Sequence, residues 1–375
     1  MVRILGLTAL AATLAACGPS GLPLTGPITA VAQATPASGA DATGPGSPDQ
    51  LQGASGPPAA SLPALVPSPT LARPSDRATA PAPTPAPRPT RQPPPTPSPT
   101  PPPTATLRTS MNVPYTPTIA CSADGSVECQ LDMDIVRPSG GGPWPVFLLL
   151  QGGPSDVNQS DYMLPLADAL AHQGAVVMVA DWRQAADTGG GFPKSFQDVA
   201  CAVGVTRAIA GAFGGDSATV TLVGHSLGGW AGAVVTLAPT RFTPPAGTCD
   251  AVAGRLLPDA FVDLDGAVDE PTAMEDGGPY VTAFFGGTGA QQPAAYAAAD
   301  PFSIVAAHPA GGSPPPILVV QATADATVPL ATSQSFHGAL LRAGYPNQLL
   351  LISGGHTAAI GSSTVTMAIM ELGGS

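Results

Sequence analysis

The sequence predicts an α/β domain: a mostly parallel, doubly wound sheet with helices on both faces. Three observations carry that expectation. Short, nearly continuous apolar runs recur after Pro145, as strands buried on both faces of a parallel sheet require. Helical patterns lie between those runs, and the alternation of the two is the signature of crossover-connected parallel strands. Composition also divides the chain: residues 18–107 hold 25 of the 47 prolines, whereas residues 108–375 carry the regular apolar spacing.

Arg3 precedes an apolar stretch, Ile4–Ala16, that is too short to span a bilayer comfortably. The stretch ends in Leu14-Ala15-Ala16-Cys17, which resembles the lipobox of bacterial lipoprotein signal peptides. That resemblance implies a signal peptide over residues 1–16, cleavage before Cys17, and a diacylglycerol anchor on the Cys17 thiol. Each buried CH₂ of such an anchor contributes ~0.8 kcal/mol to membrane attachment. The implied location is outside the cell membrane or in the periplasm, with the membrane reached through the N-terminal lipid only. Gly18 rather than Asp follows Cys17, so inner-membrane retention is not signalled.

Residues 17–107 have too little branched apolar and aromatic content to offset the entropy of ordering. They read as a disordered Pro/Ala/Thr-rich stalk. Its second part, Ala80–Pro103, favours polyproline II at ~3.1 Å per residue, a reach of roughly 70 Å. The folded domain is expected over residues 108–375, with 8 basic and 22 acidic side chains, or −14. That balance excludes the basic footprint of a nucleic-acid binder. No His or Cys pair has ligand spacing, so a metal site is not expected, and the serine chemistry argued below requires no cofactor.

Short antiparallel strands are expected at Thr116–Cys121 and Glu128–Val136, on either side of an Asp124-Gly125 turn. The buried parallel strands are placed at Val146–Leu150, Ala175–Ala180, Thr219–Val223, Ala260–Leu264, Ile317–Val320 and Gln348–Ile352. Helices are placed at Ser160–Gln173, Ser195–Phe213, Leu227–Leu237 and Thr332–Ala343. With Cys17 set aside, four cysteines remain, and an even number in an exported chain suggests disulfides in one of three connectivities. A cross-hairpin bridge from Cys121 to Cys129 fits the turn between them and leaves Cys201 for Cys249.

Ligands of such sheets bind beyond the carboxyl ends of the strands, and the reactive side chains of this sequence fall there. Gly224-His225-Ser226-Leu227-Gly228 follows a β-branched strand and opens an apolar helix. This is the context of a G-x-S-x-G elbow, in which a tight corner lifts a serine Oγ out of the sheet. A serine hydroxyl needs a base. Of five histidines, His172 lies in a helix, His225 sits inside the elbow with its side chain expected to point elsewhere, and His308 lies in a loop. His337 is mid-helix, whereas His356 follows the last strand through Ser353-Gly354-Gly355. His356 is therefore the expected base. Asp325, just past the strand at Ile317–Val320, is the favoured acid, with Asp263 and Asp265 as rivals. The Leu227 N–H and that of Gly153 (or Gly152), in the loop after the first parallel strand, are the expected oxyanion donors.

These segments resemble the α/β-hydrolase superfamily of serine esterases and lipases over roughly Val146 to Ile360. Gly224–Gly229 is similar to a lipase elbow, and Gly152-Gly153-Pro154 to the loop of esterases and prolyl-oligopeptidase-like enzymes. Phe192-Pro193-Lys194-Ser195-Phe196-Gln197-Asp198-Val199 is similar to small feruloyl-esterase and formamidase-type members. The order Ser226, Asp325, His356 is that of the superfamily. One departure is Gln151, where such loops usually begin with His. The resemblance implies ester hydrolysis of a small-molecule substrate through an acyl-enzyme. An amidase or peptidase using the same triad and a catalytically silent binding lipoprotein are the alternatives. Trp182, Phe284 and Phe285 are either pocket walls or ordinary packing, and packing is the stronger expectation.

Overall fold

Val146–Leu150 (β5) is apolar at every position, and every one of its residues is buried. Phe147 and Leu149 belong to one hydrophobic cluster, Leu148 and Leu150 to another, so successive side chains serve opposite faces of a sheet. The computed structural model that shows this describes residues 106–153, 160–238, 240–250, 254–270 and 278–374. The expected signal peptide, Cys17 and nearly all of the Pro-rich stalk lie outside those residues.

The sheet has eight strands. In chain order they are β1 (Leu107–Pro114), β4 (Asp132–Pro138), β5, β6 (Val176–Ala180), β7 (Thr221–His225), β8 (Ala260–Leu264), β9 (Ile317–Ala322) and β10 (Asn347–Ile352). Their spatial order is β1-β4-β6-β5-β7-β8-β9-β10. β1, β4 and β6 pair antiparallel, and every pairing from β6 through β10 is parallel. β5 and β8 match the expected runs at both ends, β6, β9 and β10 differ by one or two residues at one end, and β7 is Thr221–His225 where Thr219–Val223 was expected.

The antiparallel region differs from expectation. Only Ile119–Ala120 (β2) and Glu128–Cys129 (β3) form the small hairpin, closed by the Cys121–Cys129 disulfide. The rest of the expected second strand is β4, a separate strand of the main sheet. Met133 and Ile135 serve one face of that sheet and Val136 the other, and a two-residue hairpin offers no such burial.

Helices α1 (Leu164–His172) and α8 (Ser363–Gly373) cover one face through Leu166, Leu170, Val365 and Ile369. On the other face lie α2 (Lys194–Ile209), α3 (Leu227–Leu237) and α7 (Leu330–Arg342). The expected helix at Ser160–Gln173 opens as a 3₁₀ turn, Ser160–Met163, before the regular α1 begins at Leu164 with Pro165 in its first turn. Likewise the expected Ser195–Phe213 ends in a 3₁₀ turn, Ala210–Phe213, closed by left-handed Gly214. Three seven-residue helices were not expected: α4 (Pro279–Phe285), α5 (Pro293–Ala299) and α6 (Pro301–Ala307). Each begins with proline, and α6 is capped by the Asp300 side chain, which accepts from the Phe302 and Ser303 N–H groups.

The second disulfide joins Cys201 of α2 to Cys249. Trp182, Phe284 and Phe285 are buried in the core. Phe284 and Phe285 pack in an aromatic cluster with Phe192, Phe196 and Trp230, so packing is their role. No helix among the described residues is long and apolar enough to cross a membrane.

Candidate active site

Ser226 stands between the end of β7 and the start of α3 with φ 55° and ψ −119°. A non-glycine residue at positive φ costs of order 1–3 kcal/mol, and the surrounding backbone holds it there. The Ser226 N–H donates to the Leu264 carbonyl, and the Ser226 carbonyl accepts from the N–H groups of Trp230 and Ala267. The glycines of the motif have steric reasons. A Cβ on Gly224 would sit 2.2 Å from the Gly228 carbonyl oxygen, and one on Gly228 would sit 2.6 Å from that of Leu150. The elbow helix is thus pressed against both the strand behind it and the loop after β5.

That loop carries Gln151, Gly152 and Gly153. The Trp182 indole N–H donates to the Gln151 carbonyl at 3.2 Å, which fixes the first turn of the loop. A Cβ on Gly152 would come within 2.6 Å of the Ser226 Cβ, so only glycine lets the loop approach the serine. The Gly152 N–H donates to the Tyr162 hydroxyl. Of the two loop amides expected to face an oxyanion, Gly152 is therefore already engaged. Gly153, at φ 113°, and Leu227 line the same cavity as Ser226.

His356 reaches this point from the loop after β10. Its Nε2 lies 2.9 Å from Ser226 Oγ, and its Nδ1 lies 2.8 Å from Asp325 Oδ2. Asp325 follows β9 and is braced on its other oxygen by the N–H groups of Thr327 at 2.7 Å and Val328 at 3.0 Å. The Gln321 side-chain amide donates to Oδ2 at 3.2 Å. Burial pushes this carboxyl up, but the His356 bond and the two backbone N–H groups outweigh it and hold its pKa below the usual carboxylate value.

The rival acids have other tasks. Asp265, at φ 49°, accepts from the Ala322 N–H at 2.6 Å and ties the end of β8 to β9. Asp263 is completely buried between Gly229 and Gly266, and burial, reinforced by the Asp265 charge, raises its pKa well above the ordinary value.

One expectation needs correction. The His225 side chain does not point away from the site: it lines the cavity, with its ring centroid 4.8 Å from that of His356. Its Nδ1 lies 3.1 Å from the Tyr162 hydroxyl and its Nε2 lies 2.7 Å from the His356 carbonyl oxygen. Tyr162 had not been singled out, because its partners are far away in sequence.

The segment Phe192–Val199 also finds its reason. Asp198 accepts from Arg183 Nε at 2.8 Å and Nη2 at 2.7 Å, a buried two-point pair. The Ser195 hydroxyl donates to the Arg183 carbonyl and accepts from the Gly191 N–H. Together these bonds pin the chain after β6 against the start of α2.

The cavity above Ser226 has a volume of about 530 Å³. Tyr162, Tyr280, Ala267 and Val328 form much of its wall, and Glu270 is a carboxyl on its rim whose pKa burial raises to about 7.

A family model, BD-FAE, matches residues 133–340, from within β4 to within α7, and with them Ser226 and Asp325. The chain belongs to the BD-FAE family. BD-FAE is an α/β-hydrolase-type esterase family, and the chain is a carboxylic-ester hydrolase in class.

No curated protein sequence matches the chain. Among solved structures it is similar to a truncated carbohydrate esterase from gut microbiota, with TM-score 0.57 and 19% identity over 72% of this chain and 98% of that one. A bifunctional GH43-CE protein of Bacteroides eggerthii matches with TM-score 0.57 and 20% identity over 69% of this chain and 35% of that longer one. A thermophilic esterase of Thermogutta terrifontis, in propionate-bound form, matches with TM-score 0.52 and 20% identity over 72% and 92% of the two chains. At these identities the likeness establishes the fold.

Proposed function

We propose that this BD-FAE chain hydrolyses esters through a covalent acyl-enzyme on Ser226. The observation that carries the reading is the placement of His356, with Nε2 2.9 Å from Ser226 Oγ and Nδ1 2.8 Å from Asp325 Oδ2. In this arrangement His356 Nε2 takes the Ser226 proton as Oγ attacks the ester carbonyl. Asp325 accepts from Nδ1–H, selects the tautomer that leaves Nε2 free, and stabilises the imidazolium that forms. The Gly153 and Leu227 N–H groups hold the oxyanion, the latter with the favourable end of the α3 dipole behind it. His356 then returns its proton to the leaving alcohol, and water repeats the sequence to release the acid.

The substrate we propose is a short-acyl ester of a carbohydrate or similar polyol. The names of the carbohydrate esterase and of the propionate-bound esterase among the structural neighbours support it. Export with an acyl anchor on Cys17 remains part of the proposal, on the strength of Leu14-Ala15-Ala16-Cys17. Palmitate incorporation in the wild type and none in Cys17→Ala is the corresponding outcome.

The deciding experiment is labelling with a fluorophosphonate, together with turnover of an acyl-chain-length series of p-nitrophenyl esters. Wild type labels and prefers short chains, and Ser226→Ala does neither. Equal labelling of Ser226→Ala overturns the assignment.

A further inference from the structure

The Tyr162–His225 pair is not used by the reaction as written, yet it touches both halves of the site. We infer that Tyr162 and His225 form a one-way hydrogen-bond chain that sets the oxyanion loop and the His356 loop in register with each other. The inference rests on the Ser226 reading above and adds two positioning residues to it.

The direction of the chain follows from its ends. The His356 carbonyl oxygen can only accept, so His225 Nε2, 2.7 Å away, carries the proton. In a neutral imidazole Nδ1 is then an acceptor, and the Tyr162 hydroxyl, 3.1 Å away, donates to it. The Tyr162 oxygen is left to accept, and it accepts from the Gly152 N–H. Each member has one role that its chemistry permits: Gly152 N–H to Tyr162 O–H to His225, and His225 N–H to the His356 carbonyl.

Burial lowers the His225 pKa to about 4, against the bond to the His356 carbonyl, which raises it. Burial raises Tyr162 to about 12. Both residues therefore keep the protonation states that the chain needs throughout the neutral range.

The placement explains what the chain does. Gly152 adjoins Gly153, the proposed oxyanion donor, so the direction of the Gly152 N–H fixes the peptide that carries the next one. At the other end, the His356 main chain is held while its ring spans Ser226 and Asp325. His225 is the neighbour of Ser226 in sequence, and the chain thus refers both loops to the elbow itself. Such groups act on the transition state, where a small displacement is costly, more than on substrate affinity.

The test uses Tyr162→Phe, His225→Gln and His225→Asn in the full chain. Gln places an amide where Nε2 lies and keeps the bond to the His356 carbonyl. Asn places an oxygen where Nδ1 lies and keeps the bond from Tyr162. We expect Tyr162→Phe and His225→Gln each to lower kcat about tenfold with KM within about twofold. Inhibition by an alkylboronic acid, which needs the oxyanion donors, should weaken in parallel. The double variant Tyr162→Phe/His225→Gln should lose no more than Tyr162→Phe alone, because the bond that His225→Gln removes is one of the two that Tyr162→Phe removes. His225→Asn, which cuts the other bond, should add its loss to that of Tyr162→Phe.

A wild type that takes no fluorophosphonate label overturns the serine reading and the chain with it. A labelled wild type whose Tyr162→Phe variant keeps kcat within threefold, or whose double variant loses additively, overturns the chain alone. If Tyr162→Phe does not fold, the kcat and KM of the two His225 variants decide. Equal kcat losses with unchanged KM support the chain, and a KM effect alone overturns it.

Discussion

Replacing Gly228 with alanine tests whether the elbow helix is pressed against the oxyanion loop as closely as the structure shows. A Cβ there would sit 2.6 Å from the Leu150 carbonyl oxygen and 2.7 Å from that of Gln151. Ordinary contacts begin at ~3.5 Å, so helix and loop must part by about 0.9 Å. The obstructing atoms are backbone and cannot swing aside. Overpacking of this kind costs about 1–3 kcal/mol, and alanine in a helix returns about 1 kcal/mol of that. We take the upper end because both contacts are backbone, which leaves a net loss of about 2 kcal/mol and a fall in Tm of ~4–8 °C. The catalytic effect should be larger than the thermal one. Moving Gln151 also moves Gly153, and a displacement near 1 Å costs about 100-fold in kcat. Thermal unfolding and p-nitrophenyl acetate turnover read the two effects separately. The control is Gly211→Ala, where a Cβ meets nothing within 4 Å and Tm should hold or rise slightly. A Gly228→Ala protein with wild-type Tm and kcat would refute the steric argument.

Asp325→Asn should lower kcat by roughly 10⁴ with KM nearly unchanged, because an amide beside Nδ1 favours the wrong His356 tautomer; steady-state kinetics showing less than a tenfold loss would point to another acid. Asp263→Asn should flatten the dependence of Tm on pH. Its pKa is raised in the folded state, so the unfolded chain loses the proton first, and stability falls as pH rises from about 4 through the folded pKa. Asp265, raised to about 6, and Glu270, raised to about 7, add slopes that end at those values. An unchanged slope above pH 4 in Asp263→Asn would contradict the burial argument. Removing the Cys201–Cys249 disulfide, with a sequence separation of 48, should cost about 4 kcal/mol. The loss for Cys121–Cys129, with a separation of 8, should be about 2.5 kcal/mol, and denaturant titration of the two double-serine variants gives the ranking.

The parts of the molecule legible in the sequence share one physical trait: their constraint is local. β5 is written as an unbroken apolar run because both its faces are buried, β8 as a run broken only by buried Asp263, and the ends of both match the expected residues. The elbow is legible because its glycines stand two residues either side of Ser226, and Gly224 must be glycine for a reason four residues away, the Gly228 carbonyl. β1 was missed because its exposed pattern, interrupted by a register shift between Ser110 and Val113, carries no apolar period. The helices α4 to α6 are seven residues each, too short for a period to stand out. The Ser362 cap of α8, which accepts from the Val365 N–H, was present in the sequence but is weak without a flanking pattern. Tyr162 and His225 are 63 residues apart, and nothing near either one announces the other. Long-range polar pairings leave no periodic trace.

Ser226 and His356 are 130 residues apart, and His356 is delivered by the loop after β10, the last strand on its edge of the sheet. That contact carries one of the larger loop-closure costs in the molecule, whereas β10 itself pairs with β9, its near neighbour in sequence, with Asn347 opposite Ile317. In refolding, ester turnover is expected to recover no earlier than the fluorescence of buried Trp182 and Trp230, because it needs the Ser226–His356 contact as well as the core. Enzyme activity in this chain reads the closing of that contact.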